Sequence, residues 1–192
     1  MKLFYSPTSP YARKVLVAAY ERGIGNALEL VEVNPWKDPE ELLAISPFCK
    51  VPTLSTEQDG VITESTTICE YLDSVGGAPS LLQPKRLEIL TRVGTAQGLK
   101  DASVTSVVEA RRPAESQSSS WIERQRNAIV RAIPRIPTPP SGRFDLGDIG
   151  LACALAYLDL RLKDLDWRKL QPRLGPWLEE VSTRPSMQAT KV

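Results

Sequence analysis

A serine at the start of a predicted helix is the first residue whose position suggests chemistry. Ser9 follows the short apolar run Leu3-Phe4-Tyr5 and directly precedes Pro10. This order is typical of a helix N-terminus, where backbone N–H groups and the helix dipole favour a nearby anion. The chain has no histidine to deprotonate the hydroxyl, so a Ser-His-Asp mechanism is excluded. Ser9 can instead donate a hydrogen bond to a thiolate and lower the pKa of that thiol, or it can act as a helix cap only.

The pair Val51-Pro52 is the second candidate, because it stands at the start of a predicted strand. Proline has no N–H and therefore belongs at the edge of a sheet. If the bond before Pro52 is cis, the turn presents the N–H and C=O of Val51 to an extended ligand, which can pair with them main chain to main chain. Taken alone, the pair favours a trans proline in a loop, because trans is the commoner form.

Glu64-Ser65 is the third candidate, at the junction between a strand ending at Thr63 and the next helix. With Ser65 as the cap, the helix N-terminus suits a ligand carboxylate, and Glu64 can accept from a ligand ammonium. The pair therefore suits the α-amino acid end of a ligand, or it is a cap beside a solvated acid. Together, the three candidates describe a site for a small peptide that carries a thiol, and glutathione fits this description.

The composition excludes several other classes of function. The chain has 192 residues, no histidine, three cysteines and a formal net charge of +1. The cysteines show no CxxC spacing, which predicts no metal site and indicates reduced thiols in the cytoplasm. Residues 1–75 carry 6 Lys+Arg against 11 Asp+Glu, and the remainder carries 18 against 12. This asymmetry favours two domains of opposite charge that attract each other, rather than a face that binds nucleic acid. No segment is long and apolar enough to span a membrane.

The periodicity predicts an α/β domain followed by an all-helical domain. The first part has the order β-α-β-α-β-β-α, which predicts a mixed sheet with helices on its faces. After Pro84 the strand signals vanish. The predicted elements of the first part are strands 2–5, 28–33, 51–55 and 61–63 and helices 10–22, 38–44 and 65–74. Those of the second part are helices 87–109, 121–132, 145–161 and 170–182. Asp145 and Asp148 occupy N-cap and N3 of the most apolar helix, as in a capping box, and the prolines from Pro134 to Pro140 predict a loop.

These motifs give the chain a resemblance to a known family. Ser-Pro-Tyr-x-Arg-Lys at 9–14, Lys-Val-Pro-Thr-Leu at 50–54 and Glu-Ser-x-x-Ile-x-Glu-Tyr-Leu at 64–72 resemble the N-terminal domain of cytosolic glutathione S-transferases. The sequence is similar to the bacterial members with serine in place of a catalytic cysteine or tyrosine. The segment 145–152 also resembles the capped core helix of the family's second domain. The resemblance implies a thioredoxin-like βαβαββα domain over residues 1–76 and a helical bundle over residues 84–192.

The resemblance also implies a reaction and its residues. Ser9 would stabilise the glutathione thiolate for attack on a small hydrophobic electrophile, as in detoxification. Val51 would bind the cysteinyl backbone beside a cis Pro52, and Glu64 and Ser65 would hold the γ-glutamyl end. Further glutathione contacts would come from Lys37, at the glycyl carboxylate, and Lys50. The electrophile would lie between the domains, against the helix 87–109. The family further implies a cytoplasmic homodimer with glutathione as co-substrate and without metal, nucleic acid or membrane partners.

Five questions stay open at this point. Tyr5 competes with Ser9 as the thiolate donor, since other classes of the family use a tyrosine at the end of this strand. Cys49 stands where the family often has glycine, which is expected to alter the turn, and the proline cluster is expected to reshape the second domain. The chain could also be a glutathione-binding module without turnover that serves as a regulatory or partner-binding protein. A thiol-disulfide oxidoreductase would have to use Cys49.

Overall fold

The computed structural model describes all 192 residues, and its elements confirm the predicted fold class. The chain forms two compact units, one of Met1–Ile89 with Arg184–Val192 and one of Leu90–Thr183. The strands are β1 (Lys2–Tyr5), β2 (Glu29–Glu32), β3 (Thr53–Ser55) and β4 (Val61–Thr63). The helices are α1 (Pro10–Glu21), α2 (Glu40–Leu43), α3 (Ser65–Val75), α4 (Arg86–Glu109), α5 (Ser119–Ala132), α6 (Leu146–Arg161), α7 (Trp167–Leu170), α8 (Leu174–Ser182) and α9 (Pro185–Ala189).

The first unit is built on a four-stranded sheet with the order β2-β1-β3-β4. Strand β1 runs parallel to β2 and antiparallel to β3, and β3 is antiparallel to β4. Phe4 packs with Val33 and Leu42 in a buried cluster on the α2 side. Because side chains alternate along a strand, Leu3 and its cross-strand partner Leu54, both fully buried, face the opposite side with α1 and α3. Both faces of the sheet are therefore covered.

Two predicted elements differ from the structure for local reasons. The predicted helix 170–182 begins only at Leu174, as α8, because Pro172 cannot donate a helical hydrogen bond. Leu170 is instead the last residue of the short helix α7, which was not predicted. The predicted strand 51–55 begins only at Thr53. The preceding Pro52 has no N–H with which to pair.

The C-terminal segment is the main departure in organisation. The predicted domain 84–192 included it, whereas the structure groups Arg184–Val192 with the first unit. Arg184 donates two hydrogen bonds to the carboxylate of Glu21 at 3.0 and 2.7 Å, and Ser186 donates a further one. Arg13 donates to the C=O of Met187 at 3.2 Å. The segment contains the short helix α9 and is anchored on α1 by these contacts, which join residues more than 160 positions apart.

The second unit is organised around α6, whose residues are mostly buried. Its N-terminus has the predicted capping box: Asp145 accepts from the N–H of Asp148 at 3.2 Å, and Asp148 accepts from the N–H of Asp145 at 3.3 Å. Arg92 from α4 donates to Asp145 at 2.9 Å and to Asp148 at 2.8 Å. The capping box therefore also joins α4 to α6.

Candidate functional site

The pairing of the strands places all the predicted site residues at one edge of the sheet. Strands β1 and β2 are parallel and end together, since Tyr5 pairs with Glu32. At the same edge β3 begins and β4 ends, since Thr53 lies opposite both Phe4 and Thr63. Four segments therefore leave the sheet at the same end of the strands: those after β1, after β2, before β3 and after β4. This end of the sheet is here called the site edge. These segments carry Ser9, Lys37, Lys50, Val51, Pro52, Glu64 and Ser65.

Ser9 is the N-cap of α1, as predicted from Pro10 and the preceding strand. Its Oγ accepts a hydrogen bond from the N–H of Ala12 at 3.2 Å. The helix ends before Gly23, whose φ of +74° is a conformation that glycine favours. In its capping bond the hydroxyl of Ser9 acts only as an acceptor, so its proton can be donated to an anion at the helix N-terminus.

Tyr5, the alternative thiolate donor, lies in different surroundings. It lines a shallow pocket of about 150 Å³ together with α1 residues and the C-terminal residues 189–192. By the alternation of β1 it shares the face of Leu3, under α1. Of the two candidates, only Ser9 stands at a helix N-terminus.

The turn before β3 contains the predicted cis peptide bond, between Val51 and Pro52. Pro52 is buried, and the half-buried Val51 packs against the Phe4 cluster. No hydrogen bond within the chain uses the N–H or the C=O of Val51. Both backbone groups of Val51 are therefore unpaired at the site edge, where an extended ligand can bind them.

Cys49 adopts a left-handed conformation with φ of +47°, so a residue with a Cβ takes the conformation that glycine favours. Its thiol donates a weak hydrogen bond to the C=O of Pro35 at 3.5 Å. Burial raises the pKa of the Cys49 thiol, and the hydrogen bond and charge of Asp38 raise it further. A raised pKa opposes nucleophilic thiol chemistry at Cys49.

The start of α3 corrects one prediction: the N-cap is Glu64 and not Ser65. Glu64 has φ of +69°, and its carboxylate accepts from the N–H groups of Thr66 at 2.9 Å and Thr67 at 3.3 Å. Ser65 is buried, and its hydroxyl donates to Glu64 at 3.1 Å. The prediction was wrong because the turn from β4 into α3 directs the longer carboxylate back over the helix N-terminus.

The electrostatics of this turn keep Glu64 ionised. Burial alone would raise the pKa of Glu64, but the charge of Lys14 and the hydrogen bonds from Thr66, Thr67 and Ser65 together lower it below its usual value. A carboxylate has about four acceptor positions, so Glu64 can still accept from a ligand ammonium. The N–H of Ser65 has no partner within the chain and can bind a ligand carboxylate.

The two predicted lysines lie in loops of the site edge. Lys37 ends a 3₁₀ turn, Pro35–Lys37, and is exposed without an ion-pair partner. Lys50 is also exposed, while its C=O accepts from the hydroxyl of Thr53 at 2.8 Å. Both ammonium groups are available to an anionic ligand.

Lys14 is the residue near the site that sequence reasoning missed. It is fully buried, and its Nζ donates to the hydroxyl of Thr66 at 3.0 Å. Lys14 is three and four residues before the buried Val17 and Ala18, which places it on the apolar face of α1, and a lysine on that face was the available signal.

The structure has neither a membrane-crossing helix nor a cluster of metal-ligating side chains. No helix has the length and apolar character needed to cross a membrane. No group of three or more Cys, Asp or Glu side chains is arranged so that it could hold a metal ion.

Comparison with known proteins identifies the class. The family model described as glutathione S-transferase, N-terminal domain, matches residues 8–75, and that described as glutathione S-transferase, C-terminal domain, matches residues 119–180. Together they cover more than half of the chain, which therefore belongs to the glutathione S-transferase family.

Individual relatives resemble the chain over nearly its whole length. It is 33% identical to the uncharacterized GST-like protein YibF of Escherichia coli K12, across 100% of this chain and 98% of that protein. A glutathione transferase family member from Pseudomonas fluorescens Pf-5, solved with bound glutathione, is 36% identical with a TM-score of 0.92 and covers 99% and 98% of the two chains. A glutathione S-transferase from Methylobacillus flagellatus KT, solved with glutathione bound, is 34% identical with a TM-score of 0.89 and covers 98% of each.

Proposed function

We propose that this protein is a glutathione transferase that activates the thiol of glutathione for attack on a small hydrophobic electrophile. The observation that carries the proposal is the site edge, where a helix N-cap hydroxyl, an unpaired backbone pair and an ionised carboxylate meet at one end of the sheet. The glutathione bound to the related Pseudomonas and Methylobacillus proteins supports the same ligand here.

Each end of the tripeptide has complementary groups at this edge. The γ-glutamyl ammonium binds Glu64, and its carboxylate binds the N–H of Ser65. The cysteinyl backbone pairs with the N–H and C=O of Val51, beside Pro52. The thiolate accepts a hydrogen bond from the hydroxyl of Ser9. The glycyl carboxylate binds Lys37 and Lys50.

The mechanism follows from the charge that develops on sulfur. A thiol with a pKa of about 8.5 is mostly protonated at neutral pH, and a hydrogen-bond donor at a helix N-terminus lowers this pKa. Ser9 is a donor and not a base, so the thiol proton leaves to solvent. The thiolate then attacks a carbon of the electrophile and forms a C–S bond, and the displaced electron pair leaves with a leaving group or, in an addition, takes up a proton from solvent. Catalysis comes from the lowered pKa and from holding both reactants together.

The test is to titrate glutathione binding calorimetrically while following thiolate absorbance against pH. Wild type is expected to bind glutathione with a lowered thiol pKa, and Ser9→Ala is expected to return that pKa towards about 8.5 and to lose about 10²- to 10³-fold in turnover. Tyr5→Phe is expected to leave the thiol pKa lowered.

Ser118→Ala is a matched control, because Ser118 caps α5 in the second unit through the N–H of Trp121 at 3.3 Å. Both alanine variants lose a cap worth about 1 kcal/mol, but only Ser9→Ala removes the proposed donor. Binding with an unshifted thiol pKa would instead support a glutathione-binding module without turnover. No binding would refute the proposal.

We also propose that the protein is a homodimer in the cytoplasm. Trp36 and Phe48 expose 69% and 71% of their surfaces in a segment of the first unit that also carries the unpaired acids Glu40 and Glu41. The location in the cytoplasm rests on the three free thiols.

The complementary surface is on the second unit. Helix α5 exposes Trp121 on the face that also carries Arg124 and Arg131, and neither arginine has a carboxylate partner. The acidic and basic surfaces of two copies can therefore pair reciprocally about a twofold axis. Phe48→Glu is expected to shift the sedimentation coefficient from dimer to monomer, and an unchanged dimer would refute the role of this segment.

A further inference from the structure

Lys14 is a buried cation that connects the two helices whose N-termini lie at the site edge. It is five residues beyond Ser9 in α1, about 7.5 Å along the helix axis. It has no solvent exposure, although lysine is almost never fully buried without a partner. Its Nζ donates to the hydroxyl of Thr66, in the first turn of α3, at 3.0 Å. Lys14 therefore bridges the helix capped by Ser9 and the helix capped by Glu64.

A second contact joins the same two helices at this position. The thiol of Cys69, on the next turn of α3, lies 4.0 Å from the C=O of Lys14. The N–H of Thr66 also donates to Glu64 at 2.9 Å. The side chain of Thr66 thus contacts Lys14 while its backbone contacts Glu64, so that a displacement of Lys14 is transmitted directly to the cap.

We propose that Lys14 is a positioning residue for the glutathione site: it sets the distance between Ser9 and the first turn of α3, and through Thr66 it holds the carboxylate of Glu64 in place to bind the ligand ammonium. This inference rests on the proposed function, in which these two helix N-termini bind opposite ends of the tripeptide. Lys14 is buried beneath the site and acts through Thr66 and Glu64.

The groups that act on Glu64 come from two elements only. Lys14 contributes the charge from α1, and the start of α3 contributes the hydrogen bonds of Thr66, Thr67 and Ser65. Lys14→Met removes the charge with little change in side-chain length. Thr66→Val removes the hydroxyl bond but retains the charge, and Lys14→Arg retains a cation.

The experiment measures glutathione binding and turnover for these variants and follows the Glu64 carboxyl by NMR against pH in the free protein. Lys14→Met is expected to weaken glutathione binding about 3- to 10-fold, because Thr66 and the Glu64 cap lose the contact that holds them relative to α1. It is also expected to raise the pKa of Glu64, because the charge of Lys14 is one of the causes that lower it. Turnover at saturating glutathione is expected to change less than about twofold, because Ser9 is retained.

The accompanying variants separate charge from packing. Thr66→Val is expected to weaken binding without changing the Glu64 titration, and Lys14→Arg is expected to restore that titration. The control is Val17→Ala, which removes buried volume from α1 without changing charge and is expected to lower stability alone.

The inference is overturned if Lys14→Met lowers the melting temperature but leaves glutathione affinity and the Glu64 titration as they are in Val17→Ala. Failure of the wild type to bind glutathione is a different result. It refutes the proposed function and with it the positioning role, while the NMR titration still decides whether Lys14 sets the charge of Glu64.

Discussion

Substitution of Arg92 by methionine should destabilise the second unit through the two acids at the start of α6. Arg92 is 20% exposed and donates to Asp145 and Asp148, which are 12% and 1% exposed. Arg143 also contacts Asp148, at 2.9 and 3.1 Å. Methionine occupies similar space without charge, so the substitution leaves two largely buried carboxylates with one cation between them.

The size of the loss follows from this geometry. Removal of one partner of a buried ion pair costs about 3–5 kcal/mol, because the other charge remains buried. Arg143 offsets part of this cost, and Arg92 itself is not completely buried. We therefore expect Arg92→Met to lower the free energy of unfolding by about 2–3 kcal/mol near neutral pH.

The loss should depend on pH, with a sign set by Asp148. Burial raises the pKa of Asp148 above the usual 3.8, as does the charge of Asp145, although the hydrogen bond from Arg143 and the charge of Arg92 act against them. An acid with a raised pKa contributes stability that is fully present below its unfolded pKa and is lost as pH rises through the folded value. Removal of Arg92 raises the folded pKa of Asp148 further. The loss of unfolding free energy relative to wild type should therefore be largest near pH 7 and smallest near pH 4.

Urea unfolding followed by tryptophan fluorescence measures this loss, since three of the four tryptophans lie in the second unit. The control is Arg126→Met, which breaks a pair with Asp164, a residue that is 70% exposed. Such a surface pair is worth at most about 1 kcal/mol. If Arg92→Met costs no more than Arg126→Met near pH 7, or if its cost does not shrink towards pH 4, the reasoning is refuted.

Three further predictions concern other contacts. Gly147→Ala should destabilise the second unit by about 1–3 kcal/mol, because a Cβ there would lie 2.8 Å from the Cβ of Arg92; an unchanged urea midpoint would contradict this. Glu21→Gln should increase amide exchange in residues 184–192, since the Glu21 carboxylate accepts three of the hydrogen bonds that hold this segment; unchanged protection would show that other contacts hold it. Cys49 should react slowly with iodoacetamide near neutral pH and faster as pH rises above its raised thiol pKa, and modification should leave turnover intact; rapid reaction at neutral pH, or loss of turnover, would reopen the oxidoreductase hypothesis.

Local residue order was sufficient for much of the fold. A serine before Pro10 predicted the cap of α1, and the spacing of Asp145 and Asp148 predicted the capping box, because both depend on contacts within four residues. The alternation of strands and helices in the first 75 residues predicted the mixed sheet for the same reason. The family motifs added the cis bond before Pro52, which the residues alone did not require.

Contacts between distant parts of the chain could not be predicted in this way. The choice of Glu64 over Ser65 as a cap depends on the backbone direction of the turn after β4, which the sheet imposes. The burial of Lys14 requires Thr66, 52 positions away, to meet it, and the attachment of residues 184–192 requires Glu21 to meet Arg184. The sequence therefore determined the caps of α1 and α6, the succession of strands and helices in the first unit and the identity of the reactive groups. Only the tertiary structure decided which charges are buried together, because a buried charge needs a partner that local sequence does not specify.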